Sequence, residues 1–218
     1  MIKNIIRATA VFSVVLMVWL IIGKTTHIIG QVGDSSGLVN PNLAGEEELH
    51  ALPHLTDKLV QELLDHRPFL SMTELNNHLS QSLEGGQLEE LYERFFVPIN
   101  LNTASRNEIL LVPGVGDRLA HEFEEYRPYR AIRQFRREIG KYVDSNEVQL
   151  LERHVFVPIN INSASDEDLL SIPGVGQRML HEFKEYRPYR GIAEFRREIG
   201  KYVDSKEIKR LERYIIVE

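Results

Sequence analysis

An all-α fold, built of three tandem units of about 60 residues after an N-terminal apolar segment, is what this sequence predicts. Three observations carry that reading. The chain repeats itself without gaps: Asn40, Asn100 and Asn160 align, as do Asn42, Asn102 and Asn162, and then Pro53, Pro113 and Pro173. Helix-start signals precede apolar residues at helical spacing in each copy. No run of alternating apolar and polar residues long enough for a strand is present.

The 218 residues carry a net charge of −6, 43% hydrophobic residues and no cysteine. Disulfides and thiolate metal sites are thereby excluded, and no cofactor is implied. A domain that binds nucleic acid through bulk positive charge is not what the whole-chain balance describes.

The first element, residues 1–23, reads as a signal anchor or a signal peptide, and residues 24–37 as a linker. Lys3 and Arg7 precede an apolar run from Ala8 to Ile22, the pattern of an export signal. Counted from Ile5, the run reaches about 18 residues, near the lower limit of a membrane span. An obvious small-x-small cleavage site is missing, which favours an uncleaved anchor over a secreted or periplasmic product. The basic start favours a cytoplasmic N-terminus with the remainder outside.

Three units follow, at 38–97, 98–157 and 158–218. The second and third share about two thirds of their residues, and the first is more diverged. In the second, Ser105-x-x-Glu108 reads as a capping box, with Ser165-x-x-Asp168 matching it in the third. Pro113 ends that short helix. A second helix runs from about Asp117 to Tyr126 with Leu119 and Phe123 on one face, and stops before Arg127-Pro128. A third holds Ile132, Phe135 and Ile139 and stops at Gly140. Asp144-x-x-Glu147 starts a fourth, with Val148, Leu151 and Val155 as its stripe. Val-Pro-Ile-Asn joins the units, in place of a Gly/Ser linker, so they are expected in a stiff row.

Between the first two helices stands Pro-Gly-Val-Gly, at 113–116 and 173–176. Glycines permit angles that a side chain blocks. The helix that begins there presents free N–H groups, which suit a phosphate. Arg118 and Arg178 follow, positioned to add a charge-assisted contact. A backbone grip of this kind is indifferent to base sequence.

Asn-Leu-Asn-Thr-Ala-Ser, then Val-Pro-Gly-Val-Gly-Asp-Arg, then a helix ending in Tyr-Arg, resembles the helix-hairpin-helix domain of ComEA-like proteins, with its SAM-like fold. These are bacterial extracytoplasmic DNA-binding proteins, some of them anchored competence receptors. The resemblance covers residues 38–218 and is strongest in the second and third units. It implies sequence-independent binding of duplex DNA, with phosphate held at Gly114, Val115, Gly116 and Arg118 and at Gly174, Val175, Gly176 and Arg178. The family's second hairpin is represented by Gly140-Lys141 and Gly200-Lys201. That turn is either a secondary DNA contact or a packing turn, because the capping residues Asp144 and Ser145 compete with a phosphate.

The first unit departs from the pattern, reading His54-Leu55-Thr56 where the glycines belong. Residues 37–96 hold 3 basic and 11 acidic residues, whereas 97–156 hold 9 of each and 157–218 hold 11 of each. Such an acidic surface repels DNA, so the first unit is expected to serve packing, spacing or a protein partner. The other reading of the whole chain is an extracytoplasmic structural or adaptor protein without DNA binding. On that view Arg127, Arg130, Arg136, Arg137 and their repeats at 187, 190, 196 and 197 pair with neighbouring glutamates. On the DNA view they line a path. Tyr126, Tyr129 and Tyr142 are expected to pack rather than stack on bases. Enzyme chemistry is not expected: His121-Glu122 and His181-Glu182 lack the second histidine of a zinc-protease helix, and Pro53 separates His50 from His54.

Overall fold

The computed structural model describes residues 37–218; the apolar segment and nearly all of the linker lie outside them. The described chain is mostly helical, with twelve short helices in three quartets whose first residues recur at intervals of 60 residues. The first quartet is α1 (Glu46–His50), α2 (Asp57–His66), α3 (Met72–Leu79) and α4 (Gly85–Tyr92). The second is α5 (Arg106–Ile109), α6 (Asp117–Glu125), α7 (Ile132–Ile139) and α8 (Ser145–Glu152). The third is α9 (Asp166–Ser171), α10 (Gln177–Glu185), α11 (Ile192–Ile199) and α12 (Ser205–Glu212). Among the described residues no helix is long and apolar enough to cross a membrane.

The capping boxes form as the sequence predicts: Ser105 Oγ accepts from Glu108 N at 3.2 Å and Glu108 Oε2 accepts from Ser105 N at 3.3 Å. Leu119 and Phe123 of α6 and Ile132, Phe135 and Ile139 of α7 are all buried. Phe123 meets Phe135 edge to face, centroids 5.1 Å apart, a contact worth about 0.5–1.5 kcal/mol beyond its area.

Two expectations are corrected, the absence of strands and the place of Val155. Small parallel strand pairs exist: β1 (Ile99–Asn100) with β2 (Val155–Phe156), and β3 (Ile159–Asn160) with β4 (Ile215–Ile216), echoed by a bridge between Val39 and Phe95. Each joins the entry of a quartet to its exit. Two residues are too few to leave an alternating pattern in sequence. Val155 accordingly belongs to a strand and not to the stripe of α8. Gly140 caps α7 at φ −61°, a right-handed conformation, and Ser80 takes the same place in the first quartet at φ −65°. The third helix of each quartet thus stops where expected, in right-handed backbone.

The joins are core, with Val97, Ile99, Val157 and Ile159 all buried. Neighbouring quartets also bond directly: Met72 N donates to Glu108 Oε1 at 3.0 Å, and Arg213 Nη2 donates to the Pro98 carbonyl at 2.6 Å. The arrangement is more curled than a straight row. Leu43, at the start of the first quartet, reaches the Gly174 corner in the third, where its Cδ2 lies 3.1 Å from the place a Cβ would take.

Within each quartet an asparagine clamp fixes the entry turn. Asn102 Nδ2 donates to the Tyr129 carbonyl at 2.9 Å, and Tyr129 N donates to Asn102 Oδ1 at 2.6 Å. Asn42 with Phe69 and Asn162 with Tyr189 repeat the pair. Arg127 Nη2 then holds the Ala104 carbonyl at 2.7 Å, as Arg67 and Arg187 hold Ala44 and Ala164. The recurring Asn-x-Asn-x-Ala and Arg-Pro signals are thus one structural device.

Candidate nucleic-acid interface

The turn between α5 and α6 is built around a left-handed corner. Gly114 has φ +81° and Gly174 φ +82°, a region that glycine enters without the penalty of a β-carbon. Val115 and Val175 are buried anchors, and their N–H groups are already donated, to the Val112 and Ile172 carbonyls at 3.0 Å each. They hold the turn and offer a phosphate no donor.

Gly116 and Gly176 are different. Each is the N-cap of its helix in extended backbone, φ −98° and −104°, with no side-chain cap. Nothing lies within 4 Å of where a Cβ would stand at either position. Neither backbone angle nor space requires glycine there. What glycine does is leave the N–H groups of Asp117, Arg118 and Leu119, and of Gln177, Arg178 and Met179, without an acceptor among the described residues. The first quartet makes the opposite choice: Thr56 Oγ1 caps α2 by accepting from Leu59 N at 3.4 Å.

Arg118 and Arg178 are exposed and have no carboxylate partner among the described residues; Arg118 stands 5.9 Å from the Tyr142 ring centroid. Asp117, beside the second hairpin, is held by Arg106 Nη2 at 2.9 Å, and Arg106 Nη1 also reaches Glu124. The third hairpin carries uncharged Gln177 instead, and its buttress is reversed in sign, Asp166 with Lys184. A helix N-terminus with open donors and an adjacent unpaired guanidinium can hold an oxyanion.

The other sequence-predicted contacts are not brought to these sites in an available form. Lys141 is bonded to Glu138, which also takes Arg137, and Lys201 is bonded to Glu198. The hydrogen bond raises the Lys141 pKa and lowers that of Glu138. Asp144 Oδ1 accepts from Asn146 N and Glu147 N at 2.8 and 2.9 Å, so the helix after Gly140 has its donors occupied; Asp204 does the same after Gly200. At both Gly140-Lys141 and Gly200-Lys201 the lysine and the following N-cap carboxylate are already bonded within the chain. The paired arginines are also engaged, Arg136 with Glu152 and Arg196 with Glu212, while Arg197 takes Glu194 and Glu198. Tyr129 is buried and Tyr126 Oη lies 2.9 Å from Tyr142 Oη.

In the first quartet His54, at φ +64°, takes the left-handed corner with a side chain, and its Nε2 lies 2.8 Å from Glu90 Oε2. The hairpin shape survives there without glycine, which sequence reasoning missed. The signal was present: His54 aligns with Gly114 and Gly174. His50 has its own acidic neighbours, Glu46 and Asp57, and no cluster of three or more metal-ligating side chains occurs among the described residues. His121 and His181 are exposed and pair with Glu125 and Glu185.

Comparison of the chain with family models, with curated proteins and with solved structures returns no match.

Proposed function

We propose that this chain is a sequence-independent binder of duplex DNA. In this reading it consists of three tandem ComEA-like helix-hairpin-helix units held on the extracytoplasmic side of a bacterial membrane by the N-terminal segment. The second and third hairpins each grip a backbone phosphate with the open N–H groups that follow Gly116 and Gly176, and Arg118 and Arg178 add charge. The first unit, capped at Thr56 and strongly acidic, takes no phosphate and is free to meet a protein partner.

One observation supports this reading above the rest. Glycine stands at two N-caps where neither space nor backbone angle calls for it, and the related N-cap in the acidic first unit is threonine. Ser, Thr, Asp or Asn would have stabilised those helices. Their absence leaves donors for a ligand.

The test is fluorescence anisotropy of a labelled duplex against the 218-residue chain in mild detergent, from low to high salt. Binding should weaken linearly on a log–log salt plot, with a slope of about −2 to −4 for a few phosphates. No binding at low salt would reject the proposal.

A second reading, an extracytoplasmic adaptor that meets proteins only, is favoured by the balanced charge of residues 97–218 and by the acidic partners of Arg136, Arg137, Arg196 and Arg197. Absence of DNA binding together with a protein captured through residues 37–96 would support it.

A further inference from the structure

One aligned position in the last helix of each quartet carries opposite chemistry in the three copies, and in the first and third it reaches the hairpin corner. In the first quartet it is Glu90 of α4, whose carboxylate pairs with His54 at the corner itself. In the third it is Arg210 of α12. Its Nη1 donates to the Pro173 carbonyl at 2.6 Å, and its Nη2 lies 3.0 Å from where a Cβ on Gly174 would be. Glu207 accepts from its Nε and Nη2 at 2.7 and 2.6 Å. The residue is only 2% exposed. In the second quartet the aligned residue is Leu150 of α8, 54% exposed, and nothing stands within 4 Å of a Cβ at Gly114.

The surrounding charges follow the same order. Glu147 aligns with Glu207 but has no cation partner among the described residues. Relative to the second hairpin, Arg210 therefore adds one positive charge beside the third. Gln177 in place of Asp117 removes one acid more. Arg210 neutralises Glu207, whereas Glu147 leaves an uncompensated acid in the last helix of the second quartet, and like charge weakens an anion site.

We infer that residue 210 and its counterparts set the anion affinity of each hairpin: Arg210 makes the third hairpin the tighter phosphate site, Leu150 leaves the second weaker, and Glu90 closes the first. Arg210 acts as a positioning residue beneath the turn, holding the Pro173 carbonyl and neutralising Glu207. This rests on the DNA-phosphate reading above.

The experiment measures duplex affinity of the 218-residue chain by anisotropy across salt for three variants. Arg210→Leu installs the residue that the same place carries at 150. It should weaken binding by about threefold to tenfold at low salt, with the difference shrinking as salt rises. Arg210→Lys keeps the charge but loses the two-pronged bond to Glu207, so its affinity should fall between those of the parent and Arg210→Leu. Leu150→Arg should tighten binding by about threefold and steepen the salt dependence, since Glu147 and Pro113 align with the Glu207 and Pro173 that hold Arg210. A gain in affinity cannot come from misfolding, and thermal melts control for the loss in Arg210→Leu. If the parent binds DNA but Arg210→Leu and Leu150→Arg both leave affinity and salt slope unchanged, the inference is overturned while the DNA reading stands. If the parent does not bind, the DNA reading itself fails, and this inference with it.

Discussion

His54 and Gly114, sixty residues apart in sequence, occupy the same left-handed corner, at φ +64° and +81°. The hairpin shape therefore does not depend on glycine: a histidine held by Glu90 can make the turn. Glycine at 114 and 174 lowers the conformational cost, and glycine at 116 and 176 keeps the helix end open. These are separate roles, and they separate experimentally.

Replacing Gly114 by alanine should cost about 1–2 kcal/mol, the penalty of a β-carbon in left-handed backbone. Gly174→Ala should cost more, because its new Cβ would stand 3.0 Å from Arg210 Nη2 and 3.1 Å from Leu43 Cδ2, whereas the one at Gly114 meets nothing. Urea denaturation of the two variants checks the order. The double variant Gly114→Val, Gly174→Val should lose DNA binding with helicity retained; unchanged affinity would sink the hairpin mechanism.

Asn102→Ala removes both bonds of the clamp to Tyr129 and leaves its backbone N–H and carbonyl without those partners. A loss of about 2–3 kcal/mol is expected, read as a lower denaturation midpoint. Asn42→Ala should behave alike through Phe69.

His154 links acid to stability. It is buried, its ring lies 4.8 Å from that of Phe96, and its Nδ1 is 2.9 Å from the Leu150 carbonyl. Burial lowers its pKa below the ordinary value of 6.5. The unfolded chain therefore takes up a proton that the folded chain refuses as pH falls through about 6.5, so this group's contribution to stability falls with acidification. Tyr214 fills the aligned place beside Phe156, so His154→Tyr should fit and should shrink the drop in melting temperature between pH 7 and pH 5. An identical drop in both proteins would contradict this assignment.

Much of the local structure was legible because it rests on short-range rules. Ser105 and Glu108 announce a cap, Pro113 a break, and Ile132, Phe135 and Ile139 a buried face. The glycine corners were legible from type alone. What sequence could not show was juxtaposition. Val155 reads as helix stripe because a two-residue strand has no period to detect. Arg127 reads as a partner of glutamates or as part of a DNA path until the Leu101 and Ala104 carbonyls are seen to hold it. Arg210 differs from Leu150 and Glu90, and only the packing of α12 under the hairpin gives that difference a meaning. Leu43 beside Gly174 follows from the curl of the chain, which no local signal encodes.

The central claim is that glycine at the N-cap is there for a ligand and not for the fold. The most direct measurement is the duplex affinity of Gly116→Thr, Gly176→Thr, which copies Thr56 into both hairpins. Stability should hold or rise by a few tenths of a kcal/mol, while affinity should fall by about tenfold or more as the threonine hydroxyls take the donors. Full DNA affinity in that stable double variant would contradict the account.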